Sequence, residues 1–376
     1  QGLWLATLIG IPLTLLIWNL PIVLGWLGQK PVVVALATPY LQHAAFFLLP
    51  LLWFSVLRSF VSALSRANII MFISVAAIGL NFVLTRGLVH GEFGLPALGL
   101  RGAGIAFSIV NWMMFLILAL FVVCTREFKP FRIFQGLLQS RPNPALWREI
   151  ASLGLPVAGL VSLEAGLFIA VSVLSGVFGV DALASYQILM SWVGIPFVIA
   201  FGIANATMVR VAYGLGQDRP ELSRLSGILG IGSGVVLISA LAFVPIVIPE
   251  TIVNLFLRRD DPGYADVFAL VSQLLLLVAC FQVFDGLQSI SSHALRGLRD
   301  TVAPLWIAAL GYWVIGIGGG SVLAFKTELG VSGLWWGLAF GLIVTGTLLC
   351  RRFLKLSHFR LKTRLQSQNH AQNNGK

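Results

Sequence analysis

Two carboxylates stand inside apolar stretches, Asp285 in ACFQVFDGLQSISSHALRGLRD (279–300) and Glu164 in LPVAGLVSLEAGLFIAV (155–171). The other twelve of the fourteen acidic residues fall in loops or at the ends of apolar runs, where solvated charge is their ordinary state. An ionised carboxylate within hydrocarbon costs about 3 kcal/mol or more, so such a group faces a bundle interior or a wet cavity and marks an ion or substrate path. Around Asp285, Gln282, Gln288, Ser289 and Ser292 recur at i−3, i+3, i+4 and i+7. That spacing makes one face of a helix, suited to a water-filled cavity. Glu164 has fewer polar companions, chiefly Ser172 and Ser175. Neither acid has a cation at membrane depth in the sequence pattern. A carboxylate removed from water without one is neutralised by a proton, by Na⁺ or by a cationic solute, and competition among these couples their fluxes. The plainer reading of each acid, a structural hydrogen-bond acceptor between helices, stays open on the sequence alone.

The elements that hold these residues are membrane helices. The 376 residues are 58% hydrophobic and only 10% charged, with a mean hydropathy of +0.92. A soluble domain has about a quarter of its residues charged, so this chain cannot cover a water-facing surface. Runs of roughly 20 apolar residues, enough to cross a bilayer as helix, occur near 3–27, 38–62, 68–89, 102–124, 152–178, 182–209, 226–249, 265–293, 302–325 and 331–350. Alternating segments of a β-barrel are absent, and glycine and proline inside the runs are tolerable in lipid. The fold class is an all-α integral membrane protein with ten spans. Trp4, Trp26, Trp147 and Trp335 fall near span ends, as an interfacial aromatic belt would place them.

With residue 1 inside, inner loops and ends hold 19 of the 25 Lys and Arg residues, and outer loops hold Lys30, Arg86, Arg101, Arg258, Arg259 and Lys326. The positive-inside rule then puts both ends in the cytoplasm. The net charge of +11 reflects this topology and contact with anionic lipid, not a nucleic-acid partner. Arg210 and Arg296, at inner span ends, read as part of the same bias. Cys124, Cys280 and Cys350 lie in different apolar runs and read as packing residues. The five histidines are scattered, so no cofactor, structural metal site or enzyme chemistry is expected.

Slid against itself by 231 residues, the chain matches at Ala63-Leu64 with Ala294-Leu295, at Gly99 and Gly102 with Gly330 and Gly333, and at Pro31 with Pro262. That offset spans six helices, an even number, which makes a parallel repeat of the kind transporters use. The expected organisation is an N-terminal lobe of four spans (1–124), an inter-lobe cytoplasmic loop (125–151), a C-terminal lobe of six spans (152–353) and a basic, disordered tail (354–376). The counterparts of the spans at 152–178 and 182–209 would precede residue 1, so the sequence reads as a twelve-helix plan without its first two helices. Asp285 falls opposite Phe54, so the lobes are chemically unequal.

QGLWLA at the start, VLRSFVSALSR (56–66), LGLRGAGIAF (98–107), LGLPVAGLVSLEAGLF (153–168) and HALRGLRDTVAP (293–304) together resemble the multidrug and toxic compound extrusion (MATE) family, over residues 1 to about 353. The resemblance implies two six-helix lobes around an alternately opened central cavity. In the family's NorM branch a glutamate of the seventh helix and an aspartate of the tenth match Glu164 and Asp285. It thus implies coupling to Na⁺ or H⁺ and extrusion of bulky, often aromatic, organic cations from the bacterial inner membrane, by a monomer in contact with membrane lipid. Gln187 matches a polar position of the eighth helix and is a candidate cavity residue together with Gln282, Gln288, Ser289 and Phe281, whose ring would stack on a planar cation. For Gln187 and Phe281, simple packing is the competing reading. Asn205 is more simply a backbone-bonding residue. A lipid or oligosaccharide-lipid flippase of the same superfamily is the alternative, but it would need several deep cations. A channel would need a ring of charge around its pore.

Overall fold

The computed structural model describes residues 1–26, 28–64, 66–131, 133, 142–260 and 263–374, with side chains as far as 363. Regular structure among the described residues is helical throughout. The chain divides into two compact units, Gln1–Glu149 and Ile150–Lys376. Among the described residues nine helical segments are long and apolar enough to cross a membrane, and one bent pair makes a tenth.

In the first unit, α1 (Gly2–Trp18) and α2 (Leu20–Trp26) form the bent pair, turned by 52° at Asn19. Pro21 has no N–H to return to the Ile17 carbonyl, and the helix breaks there. Helices α3 (Pro31–Ala44) and α4 (Leu48–Ala63) run on through one tight turn as a single 33-residue span. It begins seven residues before the expected 38, because proline is at home in a first helical turn. Helices α5 (Asn68–His90) and α6 (Leu100–Cys124) complete this unit's spans. In the expected loop 125–151, a short 3-10 helix covers Arg126–Phe131, residues 132 and 134–141 lie outside the described residues, and the next helix starts at Pro144 rather than 152.

The second unit holds α7 (Pro144–Val177) from Ile150 onward, α8 (Val180–Gly216), α9 (Pro220–Ala242), the short α10 (Val244–Val247) and α11 (Pro249–Asn254), and α12 (Tyr264–Gly297). A composite span follows: α13 (Val302–Ala308), a π-helical stretch (Ala309–Gly319) and α14 (Gly320–Lys326). Helix α15 (Val331–Asn374) ends the fold. The tail expected to be disordered instead continues α15 to Asn374. Phe353 is fully buried, Arg352 Nε donates to Asp300 Oδ2 at 2.6 Å, and Arg360 Nη2 donates to the Leu298 carbonyl at 3.0 Å. Those contacts hold the helix on its own unit past the point where apolar residues thin out.

The 231-residue offset has a structural counterpart within each unit. Gly99 and Gly330 precede α6 and α15 with φ of +57° and +54°, a conformation that glycine adopts at little cost. Three residues on, a Cβ at Gly102 would meet the Leu88 carbonyl at 2.2 Å, and one at Gly333 would meet Ala324 N at 2.6 Å. Pro262, the partner of Pro31 in that pattern, lies outside the described residues.

Trp335, expected in the interfacial belt, is instead fully buried between Tyr186 and Phe281, with ring centroids 5.8 Å and 5.9 Å away. Proximity to a span end misled here because α15 turns that face towards α12 and α8. Its other face is small: a Cβ at Gly337 would lie 2.3 Å from Gly320 Cα, and one at Gly341 would lie 2.5 Å from the Gly311 carbonyl oxygen. Small residues of this kind let membrane helices pack backbone to backbone, which replaces the hydrophobic drive that lipid removes.

Gly337→Ala therefore forces two backbones apart and is expected to destabilise the purified full chain by about 2 kcal/mol, the usual range for overpacking. Gly232→Ala, where a Cβ meets nothing within 4 Å, is expected to be neutral. Thermal melts followed by size-exclusion chromatography separate the two.

Candidate functional site

Helix α12 packs against α8, α9 and α15 within its unit. That enclosure explains how an aspartate is tolerated in a span. From residue 277 to 295 most side chains of α12 are buried, although its C-terminal half is polar. Asp285 is 3 % exposed, and Gln282, Gln288, Ser289 and Ser292 are buried beside it, as the spacing predicted. These groups are under-used as hydrogen-bond partners. Asp285 Oδ1, both amide atoms of Gln282, Gln288 Oε1 and the hydroxyl of Ser292 are buried without a protein partner. Buried polar atoms are nearly always paired, so a cluster of exceptions marks a place built for something other than packing.

Glu164 comes from α7 and is partly buried. Its charge acts on Asp285, which makes the two acids one electrostatic unit although 121 positions separate 164 from 285. Two other groups join them. Arg296, read from sequence as a topology residue, acts on Glu164, so the expectation of no cation near either acid is corrected. Its Nη1 also lies 3.4 Å from His293 Nε2, and His293 Nδ1 lies 2.8 Å from the Ser289 carbonyl. The helical arithmetic contained this signal: residues 292, 293 and 296 stand seven, eight and eleven positions after 285 and continue the same stripe down three turns. Tyr312, from the π-helical stretch, is the second addition. It is fully buried, its hydroxyl has no protein partner, and it lies within electrostatic reach of Glu164, Asp285 and Arg296.

Two candidate cavity residues fall elsewhere. Phe281 is fully buried, edge-on to Phe168 at 6.3 Å and to Trp335 at 5.9 Å, so its ring belongs to the core and is not free to stack on a solute. Gln187 is exposed on α8 and donates to Ser172 Oγ of α7 at 3.4 Å, apart from the buried cluster. Asn205 Nδ2 donates to the Phe201 carbonyl at 2.8 Å, a backbone bond within its own helix. Among the described residues no three His, Cys, Asp or Glu side chains share a metal-like site. The donors that do converge, two carboxylates with amide and hydroxyl oxygens, suit a proton or a hard monovalent cation. No nucleophile paired with a base accompanies them.

An all-helical bundle with one buried and one half-buried acid inside the spans of one unit is the plan of a polytopic membrane transporter. Comparison narrows it. The MatE family model matches residues 1–86 and 156–322. A probable multidrug resistance protein NorM of Pseudomonas putida is 37% identical over 342 residues, covering 91% of this chain and 74% of that protein. One of Rhodopseudomonas palustris is 39% identical over 356 residues, covering 95% and 74%. Among solved structures, the eukaryotic MATE transporter AtDTX14 superposes with a TM-score of 0.79 at 22% identity, over 96% of this chain and 80% of that one. An outward-facing multidrug resistance MATE family transporter superposes with a TM-score of 0.81 at 18% identity, over 96% and 78%. The chain belongs to the MatE family, whose members are membrane transporters and not enzymes.

Truncating Phe281 separates core from cavity wall. Phe281→Ala is expected to cost about 3 kcal/mol of stability, as buried aromatic truncations do. Thermal melts of the purified protein would read that cost, and dye affinity per folded molecule is expected to stay unchanged.

Proposed function

We propose that this protein is a multidrug efflux transporter that exchanges H⁺ or Na⁺ for bulky organic cations by alternating access, with Asp285 and Glu164 as its coupling carboxylates. The observation that carries the reading is the acid pair itself. Of fourteen acidic residues, the two inside spans act on each other in one unit, and Asp285 is buried with an unpartnered oxygen. Both MatE relatives described above are named as multidrug resistance proteins, which supports drug export as the transported direction.

The physical logic is competition for negative charge. Two carboxylates out of water repel each other unless a cation joins them or a proton neutralises one. A cation entering from outside fills that need, and its release inside restores a site that attracts an organic cation. Each ligand weakens the other by the same factor, because the coupling free energy is reciprocal. The inward excess of Lys and Arg supports cytoplasmic ends in a bacterial inner membrane. The flippase alternative loses ground, because Arg296 is one cation already engaged with Glu164, whereas a pyrophosphate needs a cluster of them.

Everted membrane vesicles loaded by imposed Na⁺ or H⁺ gradients test this with ethidium as the transported cation. The full chain should drive gradient-dependent uptake. Asp285→Asn and Glu164→Gln should each lower it by at least roughly tenfold, since each loses a charge realised only in the coupling step, at unchanged abundance in the membrane. Undiminished, gradient-dependent flux in Asp285→Asn would overturn the assignment.

A further inference from the structure

Tyr312 is the one member of the buried cluster supplied by a non-α element, and that element is held unusually firmly. The π-helical stretch Ala309–Gly319 rests on α15 by direct backbone contact. A Cβ at Gly341 would lie 2.5 Å from the Gly311 carbonyl oxygen, and one at Gly337 would lie 2.4 Å from that of Gly316. Thr345 Oγ1 closes over Gly311 while donating to the Gly341 carbonyl at 2.7 Å. Tyr312 is thus pinned between Gly311 and Gly316 on a wide turn, a geometry that π-helical segments bring to functional sites. A ring buried this completely would ordinarily find a partner for its hydroxyl. Here that hydroxyl has none in the protein, and Asp285, with an unpartnered oxygen of its own, is among the charged groups that act on it.

We propose that the Tyr312 hydroxyl is a specificity-determining ligand of the Glu164–Asp285 site, and that it tilts the site towards Na⁺ and away from H⁺. This rests on the cation-coupled reading above. A phenol oxygen offers a lone pair to a hard cation held by carboxylates, since such cations take oxygen ligands. In this structure the O–H donates to neither acid; drawn onto a charged carboxylate, it would stabilise that acid against protonation. The two roles have opposite consequences for the two ions: the hydroxyl strengthens Na⁺ binding and weakens proton binding. The charged groups acting on it are Glu164 and Arg296 from α7 and α12, with Asp285 also from α12. Helix α15 presents Gly337, Gly341 and Thr345 to the stretch that carries it.

Tyr312→Phe removes the hydroxyl and leaves the ring. In vesicles, the Na⁺ concentration for half-maximal ethidium transport is expected to rise roughly fivefold to tenfold, the size of one charge-assisted hydrogen bond or ligand. Over the same preparation, the pH for half-maximal proton-driven transport is expected to move to higher values. A structural role moves neither midpoint or weakens both together, and either result overturns the proposal. Should Tyr312→Phe fail to accumulate in the membrane, Tyr312 is replaced by 3-fluorotyrosine, a stronger donor and weaker oxygen ligand of nearly the same volume. The proton midpoint should then move to lower pH, and an unchanged midpoint overturns the proposal. Failure of the coupled reading itself looks different: the unaltered chain would then respond to neither gradient.

Discussion

A carboxylate in the middle of a membrane must be wrapped by protein, and the second unit is organised around satisfying that constraint for Asp285. The wrapping is done by α8, α9 and α15, which surround α12 so closely that its polar C-terminal half is mostly buried. Close approach of this kind needs small residues where backbones meet, and Gly337 and Gly341 supply them between α15 and the π-helical stretch. The large side chains then gather on the other face, where Tyr186, Phe281 and Trp335 form an interlocked aromatic core next to the acid. Unpartnered polar atoms at the site oppose stability. The packed aromatics and glycine contacts around them offset that cost.

The first unit shows the same element without the constraint. Phe54 occupies the position 231 residues before Asp285. It sits in an apolar cluster with Leu57, Val61, Ile73 and Leu118. Both units begin a span with a left-handed glycine, at Gly99 and Gly330, and both press the glycine three residues on against the preceding element. The repeat therefore conserves how helices meet and changes what one of them carries. Among the described residues, both acids deep within spans lie in the second unit, while Phe54 at the matching position packs in an apolar cluster.

Much of this was legible in the residues. Bilayer thickness forces long apolar runs, so the ten spans could be read directly, and the cost of charge in lipid singled out Glu164 and Asp285. The polar stripe followed from helical periodicity, which holds for an α-helix from Gln282 to Ser292 and should have been extended to Arg296. Tyr312 was beyond that arithmetic. It lies in LGYWVIGIGG, an apolar run whose π-helical winding changes which positions share a face, and tertiary glycine contacts hold that winding. Trp335 and Phe281 were misread for a related reason: nearness to a span end, or to an acid, says nothing about which neighbours cover a ring. Polarity alone suggests a disordered tail, but Arg360 bonds the Leu298 carbonyl and holds the start of that tail against its own unit.

The central claim is that one buried acid pair holds either the coupling cation or the organic cation. It is tested most directly by adding ethidium to the purified full chain in weakly buffered detergent solution and measuring ions released. Competition at Asp285 and Glu164 predicts stoichiometric release of H⁺ or Na⁺ as the dye binds, abolished in Asp285→Asn with dye binding retained. Dye binding at full occupancy with no ion released from the unaltered protein would contradict it.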